Sequence, residues 1–577
     1  MRILSLESKN YKNLDGVCLE FADDINYIVG ENNVGKSNVL NLLDTLFNRS
    51  SFMQEDFEDS EEPIEATLKL GISEPEIGSF GQLVDPDTGN TLTVCATCSE
   101  PGEPIEFAHA VTHEPISQTA IRNANYFKFA SVSFDNRTLA FDSPRGVGRL
   151  LGRTVTRYRE TEGKAVIDFF NQEEMDLLLR DINIGISRVP LLNSCGISVS
   201  ADAANADALE SVISLTDGNN VTMRSAGSGV QYLSLAILSI LQGLASLSKR
   251  RVANSAFEIG DNKVLMGIIA FDEPEIHLHP YMQRRLVRAL AGICSGDDDG
   301  FNSLVKDLLG VDYFVGQIIL VTHSPEILDK GSYSNVIRLG YENSVLKVAN
   351  GVDINLNSSE EKQLLSQFST IREAFFARAV ILVEGQTEEV ALPEFASTLG
   401  VDLDDYGVLL IRVDGKKSIP GTCKLLKNFG IPNISIVDRD DTDVVSERSS
   451  LVTNRRDFED EWIDSLFETN NAGVFFELVN EIGTQHNVIS IQRKPLEKAF
   501  NKLGYRLTSI PEGNTLRLKA EDLDSADADS EFNRAMMYTY LSNVKGELVS
   551  RTLGRLTPKE AVPECYKLLF QKAMELV

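Results

Sequence analysis

Two groups of residues have the types and spacing for phosphate chemistry. In the second half of the chain, Glu384-Gly385-Gln-Thr-Glu388-Glu389 follows the apolar run Ile381–Val383, and Asp438-Arg-Asp440-Asp441 follows Ile434–Val437. Acidic residues at the ends of successive β-rich runs predict carboxylates gathered at the C-terminal edge of a parallel sheet, where open α/β sheets build their sites. Carboxylates that close repel one another unless divalent cations neutralise them. The expected ion is Mg²⁺, with Mn²⁺ or Ca²⁺ as alternatives at this site. In the first half, Gly30-Glu-Asn32-Asn33-Val-Gly35-Lys36-Ser37-Asn38 fits GxxxxGK[ST] between an apolar strand, Ile25–Val29, and an apolar helix, Val39–Phe47. The backbone N–H groups of such a loop, with the helix N-terminus behind it, hold phosphate oxygens. Lys36 would reach the β- and γ-phosphates of ATP and Ser37 would ligate Mg²⁺. Asn32, Asn33, Gly35 and Asn38 complete the expected cradle.

Partner residues for this loop lie far downstream. Val264–Phe271 is an apolar run ending in Asp272-Glu273-Pro274-Glu275. A strand delivering Asp then Glu would let Asp272 hold Mg²⁺ through water and Glu273 polarise an attacking water. A second run, Gln317–Val321, ends in Thr322-His323-Ser324, and His323 there can contact a γ-phosphate. His277 and His279 are spaced i, i+2, a poor helix-face metal pair, and read as structural. Ser225-Ala-Gly227-Ser-Gly229-Val-Gln231 precedes the apolar helix Tyr232–Leu247. A small, glycine-rich turn opening a helix is another anion site.

These residues need a frame. Ile3–Asn10 and Cys18–Phe21 read as a hairpin. Asp353–Thr370 is polar and reads as a linker region, followed by a helix over Ile371–Arg378. Strands at Ile381–Val383, Val408–Val413 and Ile434–Val437, with a helix from Glu388 through Phe395 and another over Cys423–Phe429, imply a small parallel sheet. The expected architecture is α/β throughout: an ATPase domain over 1–370 with a helical insert at about 155–220, a second α/β domain over 371–470, and a helical extension over 471–577.

Bulk composition narrows the setting. A length of 577 residues suggests about three or four domains. No run of about 18 apolar residues occurs, so no transmembrane helix is expected. Met1-Arg-Ile-Leu-Ser does not read as a signal peptide. Seven scattered cysteines suit a reducing cytoplasm better than a disulfide framework. Cys95 and Cys98 have no second pair at metal spacing and read as strand residues. The net charge of −30, from 85 acidic and 55 basic groups, argues by itself against non-specific nucleic-acid binding. Binding is local, however, and basic groups exist at Arg145, Arg149, Arg153, Arg157 and Arg159, at Lys249–Arg251, at Lys416, Lys417, Lys424 and Lys427, and at Arg455 and Arg456. The last two sets lie near the acidic cluster and are the better candidates.

A P-loop near Met1, a long insertion, the Ser225 turn, Asp-Glu-Pro-Glu and Thr-His-Ser-Pro follow the order seen in RecF-like and SMC-like ABC ATPases. That resemblance implies that Ser225 and Gly227 form a signature-type turn acting in trans on a neighbour's nucleotide. The implied assembly is a homodimer or a higher oligomer such as a tetramer. Gln54, in Gln54-Glu-Asp56-Phe, falls where such ATPases carry a metal- or water-contacting loop. The 155–220 segment would be an arm or dimerisation insert, too short for a long coiled coil. The turn lacks a Leu-Ser-Gly-Gly run, which bears on ATP turnover more than on binding.

Glu-Gly-x-Thr-Glu followed by Asp-x-Asp looks like a Toprim domain, the metal-binding unit of topoisomerases, bacterial primases and several nucleases. Glu384 would be a metal ligand or general acid/base, and Asp438 and Asp440 the metal-binding pair. Two metals there would activate water and stabilise the leaving oxygen in phosphodiester cleavage. An ATPase followed by Toprim resembles the OLD (overcoming lysogenization defect) family, whose members include phage-defence nucleases such as the Gabija endonuclease and retron-associated effectors. The resemblance implies that Glu388 is a second-metal ligand. It makes Asp441, Asp457 and Glu459 candidates for the outer ligands, and Lys545, in Asn543-Val-Lys-Gly-Glu547, the lysine at the scissile phosphate. The implied function is an ATP-regulated, metal-dependent DNA endonuclease of anti-phage defence, with DNA as substrate. An operon-encoded helicase-like protein, or a reverse transcriptase with its nucleic acid, would be a partner; no membrane is involved. The alternative is a RecF-like repair ATPase whose Toprim domain is a non-catalytic interaction module. A primase or topoisomerase fits less well, because no zinc module is visible and the chain is short for a topoisomerase.

Overall fold

The computed structural model describes residues 1–74, 76, 84–85, 87–130, 172–201, 213–216, 228–330, 332–342, 344–413, 415, 418–439, 450–483, 486–525 and 528–577. These fall into two compact units, Met1–Ile354 and Asn355–Val577. Ser225, Gly227, Asp440, Asp441, Lys416, Lys417 and the five arginines from Arg145 to Arg159 lie outside the described residues.

The first unit holds two large sheets. One is antiparallel, with strands ordered Val17–Glu20, Arg2–Lys9, Ile64–Gly71, Thr91–Cys98, Glu106–His109. Ile64–Gly71 alternates buried with less buried residues, the pattern of a sheet with one face in the core. Cys95 and Cys98 are three apart on one of these strands and point to opposite faces. All seven cysteines are free.

The second sheet is ordered Ala256–Ile259, Asn262–Asp272, Tyr313–Val321, Ile25–Gly30, Val336–Glu342, Val345–Asn350, with Tyr126–Ala130 also paired to Asn262–Asp272. Its middle strands run parallel. Ile25–Gly30 is buried at every position, which is what a strand covered on both faces needs and why its run is mostly apolar; the Asn26 side chain within it donates to Ala22 O at 2.9 Å. Val39, Leu40 and Leu43 of the helix Lys36–Asn48 share a core with Ile28, Ile319 and Ile337. The parallel register sets Asp272 beside Val321 and Val321 beside Ile28. The chain therefore leaves all three strands at one edge, and the three phosphate-site segments start there.

Within 155–220 the described residues are not all helical. The helix Gln172–Arg188 is followed by an antiparallel pair, Ser198–Ala201 with Ile213–Thr216. Asn183 clamps this pair to the helix, accepting from Val199 N at 2.6 Å and donating to Val199 O at 2.9 Å. Helical spacing in the sequence hid short strands that alternate at period two. No single helix among the described residues is long and apolar enough to cross a membrane.

The second unit contains a four-stranded parallel sheet ordered Val408–Arg412, Ala379–Val383, Asn433–Val437, Ser450–Val452. The helices Gln386–Leu399 and Ile419–Asn428 make the crossovers. The stretch expected as a linker forms the helix Ser358–Ile371 and clusters with this unit. A polar composition concealed it, because only one side of that helix needs to be apolar. The region after 470 shares one core with the sheet: Val479, Phe500, Met536 and Tyr566 are buried in the same cluster as Ile381, Phe395, Ile434 and Trp462. That region also carries a hairpin, Val488–Gln492 with Thr515–Lys519, among its helices. Trp462 Nε1 donates to Thr557 Oγ1 at 2.9 Å, tying the two stretches together.

Candidate active sites

The phosphate loop starts where Ile25–Gly30 ends. Gly30 has φ +139°, and a Cβ there would sit 2.1 Å from the carbonyl oxygen of Leu339 on the adjacent strand. Only glycine lets the strand turn out of the sheet at this point. Lys36 donates to Gly30 O at 3.0 Å and Glu31 O at 2.6 Å. Burial lowers its pKa to about 8, against the opposing pull of Glu273, Asp272, Glu275 and Glu31. Ser37 Oγ donates to Asp272 Oδ1 at 3.0 Å, so the P-loop hydroxyl and the downstream aspartate, 235 residues apart, meet at one point. Burial raises the Asp272 carboxyl, and Glu273 adds to the effect against the Ser37 hydrogen bond.

Glu273 adopts φ +51°, a left-handed conformation that costs a non-glycine residue energy and is found at working sites. Its backbone N–H donates to Val321 O at 2.8 Å. Its carboxylate faces His323 Nε2 at 3.3 Å. Burial and then Lys36 depress the His323 pKa, so the ring is neutral near pH 7 and can donate one N–H. Glu275, absent from the expected set, is half-buried, and its Oε1 accepts from His323 N at 2.6 Å. It ties the turn after Asn262–Asp272 to the turn after Tyr313–Val321 and holds Glu273 opposite His323.

These groups open on a pocket of about 570 Å³. Asn33, Gly35, Lys36, Ser37, Asn38, Glu273 and His323 line it, as expected from the sequence. Asp272 stands behind Ser37. Asn32 is exposed on the loop, and Gln54 is exposed in the short turn Gln54–Asp56; neither is on the pocket wall. Sequence reading missed Lys12, Asn13 and Tyr341, which do line it. Asn13 braces the loop, donating to Val34 O at 3.0 Å and accepting from Asn38 Nδ2 at 2.8 Å. A short polar residue between two hairpin strands was the available signal. His277 lies against the Tyr232 ring, centroids 4.8 Å apart, in keeping with a structural role.

The acidic site is built at the C-terminal edge of the parallel sheet. Glu384 follows Ala379–Val383 and Asp438 follows Asn433–Val437. Glu388 stands in the first turn of the helix Gln386–Leu399 and is 7% exposed. A Cβ on Gly385 would lie 2.3 Å from Glu388 Oε2, so this glycine leaves room for the carboxylate. Burial, then Glu459 and Glu384, push the Glu388 carboxyl up to about 7, while Lys545 pulls the other way. Glu459 is buried in the first turn of Phe458–Glu468. It accepts from Lys545 Nζ at 2.7 Å. Burial depresses Lys545, but Glu459 outweighs it, with Asp457 and Glu388 adding, and the ammonium is held above its ordinary pKa. The structure thus brings Glu384, Glu388, Glu459 and Lys545 within electrostatic reach, although 161 residues separate the first from the last.

Other acidic candidates are occupied elsewhere. Asp457 caps Phe458–Glu468, accepting from Asp460 N at 3.2 Å, Lys502 Nζ at 2.9 Å and Tyr538 OH at 2.6 Å. Glu389 pairs with Arg412 at 3.0 Å. Of the basic groups, Arg455 donates to both carboxylate oxygens of Asp464, and Arg251 donates to Asn125 Oδ1 at 3.0 Å, both contacts within the fold. Among the described residues, no three His, Cys, Asp or Glu groups converge as a ready cation cage. Glu388 is buried beside Glu459 and Glu384, and carboxylate oxygens are the ligand type that a hard divalent cation takes.

Comparisons with known proteins match regions of both units. Residues 375–440 match the family described as Overcoming lysogenization defect protein-like, TOPRIM domain. Residues 1–85 match the AAA ATPase domain, and 185–329 match a second AAA domain family. The chain is 24% identical over 272 residues to the Old nuclease of Escherichia phage P2, covering 46% of this chain and 41% of that protein. It is 26% identical over 204 residues to the OLD nuclease of Thermus scotoductus, covering 33% and 34%. It is 24% identical over 195 residues to Endonuclease GajA of Bacillus cereus, covering 30% and 26%. The chain therefore spans less than half the length of each of these relatives. The first unit thus contains regions that match AAA ATPase domain families around its P-loop site, and the carboxylate-edged parallel sheet of the second unit matches an OLD-like Toprim domain.

Proposed function

We propose that this chain is an ATP-regulated, divalent-metal-dependent DNA endonuclease of anti-phage defence, working in the cytoplasm as a dimer or higher oligomer. The observation that carries the reading is the buried Glu388 set among Glu384, Glu459 and Lys545, in a chain that also joins Ser37 to Asp272. Glu384, Glu388, Asp438 and Glu459 would hold the cations, with Asp440 and Asp441 as further ligands. Divalent ions bound there supply Lewis-acid activation of water and neutralise charge at a phosphodiester. Lys545 places a fixed positive charge at the same edge, where it can meet a DNA phosphate. In the ATPase unit, Lys36 and the P-loop N–H groups would hold the triphosphate, Ser37 and Asp272 its Mg²⁺, and Glu273 would orient water beside His323. The relatives named nuclease and endonuclease support this reading.

The test is plasmid cleavage by the purified chain with Mg²⁺ or Mn²⁺. Glu384→Ala should abolish nicking while ATP binding stays within about twofold of wild type. Unchanged cleavage by that variant would remove Glu384 from the site. A wild-type chain that binds ATP and leaves plasmid intact with every divalent ion would favour a scaffold ATPase of DNA repair instead.

A further inference from the structure

We propose that Tyr341 is the base-stacking platform of the nucleotide pocket, the surface on which the purine ring of ATP lies; this rests on the nucleotide-site reading given above. Leu339 pairs with Gly30, where Ile25–Gly30 ends and turns into the phosphate loop. The neighbouring strand does not stop there: Val336–Glu342 carries on through Gly340 and Tyr341. Ile337 and Leu339 are buried in one core with Ile28 and the helix Lys36–Asn48. Strand alternation puts Tyr341 on the face of Ile337 and Leu339, one step past the rim of that core.

There Tyr341 is 53% exposed and lines the same pocket as Lys36, Ser37 and Asn38. The rest of the described lining consists of lysine, asparagine, serine, glutamate, histidine and glycine. Those groups suit phosphates and a ribose, and offer a purine little apolar surface beyond the His323 ring, which is engaged with Glu273. A volume of about 570 Å³ is in the range of small-molecule sites and leaves room for more than phosphates. The phenol stands on a paired backbone, with Tyr341 opposite Leu346 in an antiparallel hairpin. An exposed aromatic ring fixed in this way is presented for stacking, which serves adenine and guanine alike because every base has a π-face.

The experiment measures binding of ATP, GTP and inorganic tripolyphosphate to the full chain by calorimetry, for wild type, Tyr341→Ala and Tyr341→Phe. Tyr341→Ala should weaken ATP and GTP about tenfold, equivalent to about 1.4 kcal/mol, the scale of one lost base–aromatic stack. Tripolyphosphate affinity should move less than twofold, and Tyr341→Phe should bind ATP as wild type does. ATP affinity that is unchanged in Tyr341→Ala, or tripolyphosphate affinity that falls in step with ATP, would overturn the assignment. A wild-type chain without ATP affinity would overturn the nucleotide-site reading itself, which separates the two failures.

Discussion

Glu388→Gln tests the acidic site without touching the ATPase unit. In the folded chain, burial and the neighbouring Glu459 and Glu384 raise the Glu388 carboxyl from 4.5 to about 7. In the unfolded chain it titrates near 4.5. Between those values the folded chain keeps a proton that the unfolded chain has lost, so stability falls as pH rises through the window and levels off above pH 7. At 1.36 kcal/mol per pKa unit, the full cost of the ionised, cation-free site is about 3 kcal/mol. The neutral isostere removes this titration and keeps the shape. Titrating groups away from the site affect both proteins equally, so the difference between them reports Glu388 together with its coupling to Glu384, Glu459 and Lys545. The assay is urea unfolding in EDTA from pH 5 to pH 8, followed by the fluorescence of Trp462. It is the single tryptophan of the chain and lies in the same core as the site. Glu388→Gln should gain on wild type by roughly 2–3 kcal/mol more at pH 8 than at pH 5. Adding Mg²⁺ or Mn²⁺ at pH 8 should stabilise wild type and leave the variant nearly unmoved. Parallel pH profiles for the two proteins would refute the argument.

Two further substitutions probe the elements that aim the site groups. Gly385→Ala should fold within about 1 kcal/mol of wild type, because its new Cβ meets only the far end of Glu388. It should weaken divalent-ion binding about tenfold, a change of about 1.4 kcal/mol that calorimetry with Mn²⁺ would detect; wild-type ion affinity would show that Glu388 does not take part. Glu275→Ala should lower ATP turnover about tenfold while ATP affinity stays within twofold, since a hydrogen bond to a charged group is worth about 1.5–3 kcal/mol. Glu275→Gln keeps an oxygen acceptor for His323 N and should retain most of the turnover; an alanine variant with wild-type turnover would show that the tie between the two turns is idle.

The strands that carry the chemistry were legible because they are buried on both faces. Ile25–Gly30, Ala379–Val383 and Asn433–Val437 are buried at every position and mostly apolar, and each ends in or runs directly into glycine or an acid. Long-range pairing was legible only as motif order. Glu275 was not legible, and Asn13 only as a short polar residue between two hairpin strands, because their work depends on a second strand or loop brought alongside from elsewhere in the chain. Asp457 and Glu459 look alike in sequence, two residues apart at one helix start. Only the packing separates them: Lys502 and Tyr538 claim Asp457, while Glu459 turns to Lys545.

The sequence by itself determined the phosphate loop, the acids that close the parallel strands and the α/β character of both units, since these depend on local spacing and on which runs avoid water. The tertiary structure decided which acids become a site. The Glu384–Asp438 carboxylate edge marked out by the sequence gains its depth from Glu459 and Lys545, delivered by segments folded into one core with the sheet. Electrostatic energy depends on distance and burial in three dimensions, and neither is written in the order of residues.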